Sequence, residues 1–122
     1  MKLRIKGNSL RIRLSKSEVA KLAATGYLEE STQFPCKTFS YALESVEGIN
    51  ELSASMETDK IIMQVPASFV KDWVVNDVVG INSNQPLTAN SSLFLLLEKD
   101  FVCLDETTED QGDNYENPNK SC

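Results

Sequence analysis

Five cations open the chain at alternating positions: Lys2, Arg4 and Lys6, then Arg11 and Arg13, with no acid among residues 1–14. Guanidinium and ammonium groups at that density suit a phosphate or carboxylate, because a hydrogen bond assisted by charge is stronger than a neutral one. Three sources of negative charge can answer them. Glu29, Glu30, Glu44 and Glu98 can interleave from neighbouring strands. The acids Asp105, Glu106, Glu109, Asp110, Asp113 and Glu116 can fold back over them. An external anion, a small molecule or a nucleic-acid backbone, can bind there. Neutralisation by the chain's own glutamates is the default.

Other chemistry is thinly supplied. The chain has no histidine, which removes the commonest general base near neutral pH and excludes Ser–His and Cys–His pairs. Cys36, Cys103 and Cys122 are odd in number and widely spaced, so neither a disulfide framework nor a structural zinc site is expected. Cys103 reads as a buried thiol, Cys36 as a loop residue beside Lys37, and Cys122 as terminal. The acidic run lacks the alternating oxygen ligands, glycine and final glutamate of a calcium loop. Asn90 and Asn119 begin glycosylation-type triplets that count for nothing without a secretory signal. There is no glycine-rich phosphate loop. Trp73 with Phe69 reads as core rather than as a ligand platform. No metal and no cofactor is expected.

The elements that must position the cations can be read around them. Residues 2–6 and 9–14 alternate strictly, with Gly7-Asn8 as a two-residue turn of type II′. That turn fixes the register. Ile5 faces Leu10 and Leu3 faces Ile12 on an apolar side; Lys2 faces Arg13, Arg4 faces Arg11 and Lys6 faces Ser9 on the other. Like charges directly opposed cost roughly 0.2–1 kcal/mol per pair, so this face needs a counter-charge. Ser15 as N-cap and Glu18 three residues on predict a capping box and a helix with Val19 and Leu22 inside, ended by Gly26. Strands are expected near 27–33 and 38–44.

The order then recurs. Residues 52–56 and 60–65 flank Thr58-Asp59, and Pro66 opens a second helix bearing Phe69, Val70, Trp73 and Val74. Strands follow near 78–82 and 93–99. With an offset of 51, Leu3, Ile5, Leu10 and Ile12 fall on Ala54, Met56, Ile61 and Met63; after a slip of three, Leu43-Glu44 falls on Leu97-Glu98. A duplicated ββαββ unit is one explanation, and the general similarity of hairpin–helix pairs is the other. The expected class is α+β: a mainly antiparallel sheet or barrel of about eight strands with two helices.

The chain of 122 residues, 41% hydrophobic and 25% charged, suits one domain, here 1–104, followed by an acidic and flexible tail, 105–122. The net charge of −6 divides into +5 for residues 1–14, −6 for 15–104 and −5 for the tail. Overall acidity speaks against a general nucleic-acid binder. With no long apolar run and no signal peptide, a cytoplasmic location without membrane contact is expected.

The opening from Met1 to Leu14, Ser17-Glu18-Val19, and Glu98-Lys99-Asp100-Phe101-Val102-Cys103-Leu104 resemble a family of small bacterial proteins of unknown function, nearly end to end. The resemblance implies a bacterial, cytoplasmic, single-domain protein and brings no catalytic residue or cofactor. A partial likeness to triphosphate-tunnel phosphatases fails at the first strand, which has Lys and Arg where those enzymes place paired glutamates; only the idea of an anion-lined sheet carries over. The sequence therefore favours a non-catalytic binding or interaction module using the cationic hairpin. Its partner would be a protein or an anionic small molecule, and a homodimer is open to it through a free sheet edge. The alternative is a metal-dependent hydrolase, or binder, of a phosphorylated small molecule, with Arg4, Arg11 and Arg13 on the phosphate and Glu44 or Glu98 as metal ligand or base.

Overall fold

A computed structural model of the chain describes residues 1–101 and residue 115. Two hairpins flank the first helix: β1 (Lys2–Lys6) and β2 (Ser9–Leu14), then α1 (Lys16–Thr25), then β3 (Tyr27–Phe34) and β4 (Lys37–Val46). The second half repeats the order with β5 (Ser53–Glu57), β6 (Lys60–Pro66), α2 (Ala67–Trp73), β7 (Gly80–Thr88) and β8 (Ser91–Lys99). The local signals act as their chemistry dictates. Ser15 and Glu18 form both halves of the capping box, and Gly26 ends α1 in the left-handed conformation. The first hairpin takes the register its turn sets, from Lys2 opposite Arg13 to Lys6 opposite Ser9.

The hairpins do not stay with their own halves. One sheet has the order β1-β2-β8-β7 and the other β3-β4-β6-β5. Each sheet thus takes one hairpin from each half, joined along a parallel central pair, β2 with β8 and β4 with β6. The expected class holds, with eight strands and two helices. Eight strands in one sheet or barrel become two sheets of four, mostly antiparallel, laced along both seams. At one seam the Ala54 backbone N–H donates to Gln85 Oε1 at 2.7 Å and Gln85 Nε2 donates to the Ala54 carbonyl at 3.1 Å. At the other, the Met1 amine pairs with Glu30 of β3 at 2.8 Å and with Glu18 of α1, while the Tyr41 hydroxyl donates to the Met1 carbonyl. Burial works against the Met1 ammonium, but the two glutamates raise it overall.

The two halves match in geometry as well as in order. Arg13 stands opposite Glu98 across β2 and β8; Gln64 stands opposite Glu44 across β6 and β4. Those residues are related by the offsets of 51 and 54 that align the halves. The inward rows of both sheets, among them Ile12, Leu14, Leu43, Met63, Val65, Leu95 and Leu97, close on Val19, Leu22, Val70 and Trp73 of the helices. Trp73 is fully buried, and its indole N–H donates to the Val78 carbonyl at 2.8 Å. It is a core residue, with the Phe69 ring 5.0 Å away.

The equivalent turns expose one local conflict. Gly7 has φ +52° and Thr58, at the same place in the other half, has φ +53°. Glycine adopts that conformation freely, whereas a β-branched residue there is an outlier. Thr58→Gly is expected to raise stability by about 0.5 kcal/mol, the left-handed penalty relieved exceeding the unfolded-state entropy gained. Gly7→Thr is expected to lower it by about 1 kcal/mol. Denaturant titration checks both, and a loss of stability in Thr58→Gly refutes the account.

Candidate cationic site on the hairpin sheet

Pairing in the β1-β2-β8-β7 sheet arranges its outer face in rows. One row runs Lys2, Arg13, Glu98 and Gly80; the next runs Arg4, Arg11, Leu96 and Asn82; the third runs Lys6, Ser9, Phe94 and Asn84. The cations therefore occupy one side of the face, and β8 supplies both the counter-charge and an apolar border.

Glu98 is the glutamate that meets the hairpin. Its Oε1 accepts from Arg13 Nε at 2.7 Å and lies 3.8 Å from Arg11 Nε. Lys2 pairs with Asp100 at 3.0 Å, a carboxylate the sequence reading did not single out. The other three glutamates go elsewhere. Glu29 binds Lys60 at 2.7 Å and the Tyr27 hydroxyl, Glu30 binds the Met1 amine, and Glu44 accepts from Gln64 Nε2 at 3.3 Å. Glu29 and Glu44 belong to the outer face of the second sheet, so Glu44 and the arginines are not brought together. Among the described residues no three His, Cys, Asp or Glu side chains gather as a metal cluster.

One carboxylate among three arginines leaves an excess of positive charge. Burial lowers the Arg11 guanidinium from its ordinary value, Arg13 and Arg4 lower it further, and Glu98 opposes them. It stays protonated at neutral pH, so the excess is a field that an anion would relieve. Among the described residues, Arg4 and Lys6 have no ion pair. They line a recess of about 250 Å³ with Ser9, Leu10 and Arg11, bordered by Phe94 and Leu96. Phe94 is 37% exposed. The recess is a shallow depression whose chemistry pairs cations with a half-open aromatic ring.

A second polar feature escaped the sequence reading altogether. Lys99, at the end of β8, is only 4% exposed. Its ammonium donates to the Asn76 carbonyl at 2.8 Å and lies 5.7 Å from the Trp73 ring and 4.7 Å from the Tyr115 ring. Burial pulls it below the ordinary lysine range, and Asp77 opposes that pull. The inward alternation of Leu93, Leu95 and Leu97 was the signal available, since it puts position 99 inside.

Cys36 is exposed, with φ +67° after Pro35, so it occupies the turn between β3 and β4. Val102, Cys103 and Leu104, Cys122, and the acids of the tail, whether as cover for the hairpin or as a flexible segment, lie outside the described residues. Among the described residues no helix is long and apolar enough to cross a membrane.

No curated protein and no solved structure matches the chain. A family model, described as a family of unknown function (DUF7009), matches residues 1–119, and the chain belongs to that family.

Proposed function

We propose that the chain is a binding module that takes an anionic group of a partner on the cationic face, with Arg4, Lys6 and Arg11 as its contacts. The observation that carries this reading is the recess beside Phe94 and Leu96, where Arg4 and Lys6 have no ion pair among the described residues. Lys2 and Arg13, already held by Asp100 and Glu98, set the surrounding field. The mixed lining suits a carboxylate or phosphate that carries an apolar group beside it. An acidic segment of a partner protein has that chemistry, as does an anionic small molecule.

The test is calorimetric titration with tripolyphosphate and with polyglutamate. Both are expected to bind, more weakly as salt rises, since these charges are solvent-accessible and screened. Arg4→Ser with Lys6→Ser should weaken both about tenfold, or about 1.4 kcal/mol. Both residues are exposed, so the fold should persist. A double variant that melts like the parent and binds either probe equally well sinks the proposal.

A further inference from the structure

A second cleft lies away from the hairpin. It measures about 570 Å³ and is lined by Lys16 at the start of α1, by Val74, Val75, Asn76, Asp77 and Val79 after α2, and by Lys99, Phe101 and Tyr115. Tyr115 enters it from far along the chain. Its backbone N–H donates to the Asp100 carbonyl at 2.7 Å, and it forms a single parallel bridge with Phe101. Its ring meets the Phe101 ring edge-on at 5.8 Å and lies 4.7 Å from the Lys99 ammonium and 5.7 Å from that of Lys16.

Tyr115 packs against the margin of the core, and three features of its surroundings suit the recognition of an aromatic group. The ring is held by two cations and an aromatic edge, which is how an aromatic group is recognised through its π-face and quadrupole. Among the described residues its backbone meets the body through the bridge to Phe101 and the hydrogen bond to Asp100, contacts of the kind that local opening can release. Tyr115 lines the cleft without filling it, and the lip remains apolar and open, with Val75 85% exposed and Val79 44% exposed. The sequence around the tyrosine, Asp113-Asn114-Tyr115-Glu116, carries acids on both sides, complementary to Lys16 and Lys99.

We propose that this cleft binds an aromatic side chain flanked by acids in an extended segment of a partner protein, and that Tyr115 is its internal competitor. The backbone of such a segment would run beside residues 100–101 as Tyr115 does, and its aromatic ring would take the place between Lys16 and Lys99. A site that takes an acidic segment here is separate from the recess at Arg4 and Lys6.

The probe is a fluorescent peptide of residues 111–119, measured by anisotropy against the full chain and its Tyr115→Ala variant. A tethered segment experiences an effective concentration on the order of 1 mM, so a cleft that holds Tyr115 must bind the free peptide with a Kd at or below about that value. The variant is expected to bind at least about twofold more tightly than the parent chain, and about tenfold if the Kd is about 0.1 mM, because the parent's own tyrosine competes. A peptide with its tyrosine replaced by alanine should not bind the variant. Adding Lys16→Glu, a surface change, should weaken binding several-fold, while adding Arg4→Ser should leave it unchanged. A Kd for the variant well above about 1 mM, equal binding to parent and variant, or equal binding of the alanine peptide overturns the proposal. Loss of binding on Arg4→Ser also overturns it, by moving the peptide to the hairpin.

Discussion

Gly80→Ala is expected to cost about 3 kcal/mol, at the upper end of overpacking penalties. Gly80 faces Glu98 in the pairing of β7 with β8. A Cβ there would run into the Leu97 carbonyl oxygen and stand 2.9 Å from both Cα and Cβ of Glu98. Two of those three atoms are backbone, so no rotamer change relieves the clash. The strands must separate, or β7 must shift. The effect should reach the cationic face as well, because the strand that is pushed carries the glutamate holding Arg13. Denaturant unfolding measures the stability loss, and anion titration of the folded fraction measures the second effect. An alanine variant as stable as the parent would show that the close approach of β7 to β8 is not what the fold requires.

Glu98→Gln is expected to move stability and anion affinity in opposite directions. The glutamine keeps an oxygen for Arg13 but loses the charge that offsets Arg11 and Arg13. The Glu98 side chain is 16% exposed, between a surface pair and a buried one, so a stability loss of about 1–2 kcal/mol follows. The recess lies one row away along the sheet, roughly 7 Å. Removing a unit negative charge at that distance is worth about 1 kcal/mol at an effective dielectric between those of protein surface and water. Tripolyphosphate binding should tighten five- to tenfold, a gain that shrinks in high salt. If affinity falls instead, Glu98 is orienting an arginine for the ligand, and the simple charge account fails.

These expectations show where sequence reading succeeds. The hairpin register followed from Gly7-Asn8, and the helix start from Ser15 and Glu18, because each signal and its consequence lie within a few residues. The repeated order of the two halves was visible as pattern, and the matched pairs Arg13–Glu98 and Gln64–Glu44 give it a spatial counterpart. What stayed hidden was which hairpin lies beside which. That choice is made by apolar faces far apart in the chain, and nothing local encodes the parallel join of β2 with β8. Hence four glutamates were equally eligible to meet the arginines, and only the strand order selects Glu98. Asp100 and Lys99 escaped for a related reason. They read as an ordinary charged stretch, yet the end of β8 turns one toward Lys2 and the other beneath Trp73 and Tyr115.

The exchange of hairpins between the halves also dictates the order in which the molecule can be made. β2 is a central strand, and its second neighbour, β8, is the last strand described. During synthesis the first hairpin therefore waits, with Leu10 and Ile12 uncovered, until nearly the whole described body has been translated. The second sheet has no such delay, since β3 to β6 are contiguous in the chain. Assembly should start there and finish by bringing the two ends together, a late and non-local closure of the kind that slows folding. During that wait the five cations of the first hairpin also carry a protective duty, because their mutual repulsion discourages two nascent chains from pairing edge to edge.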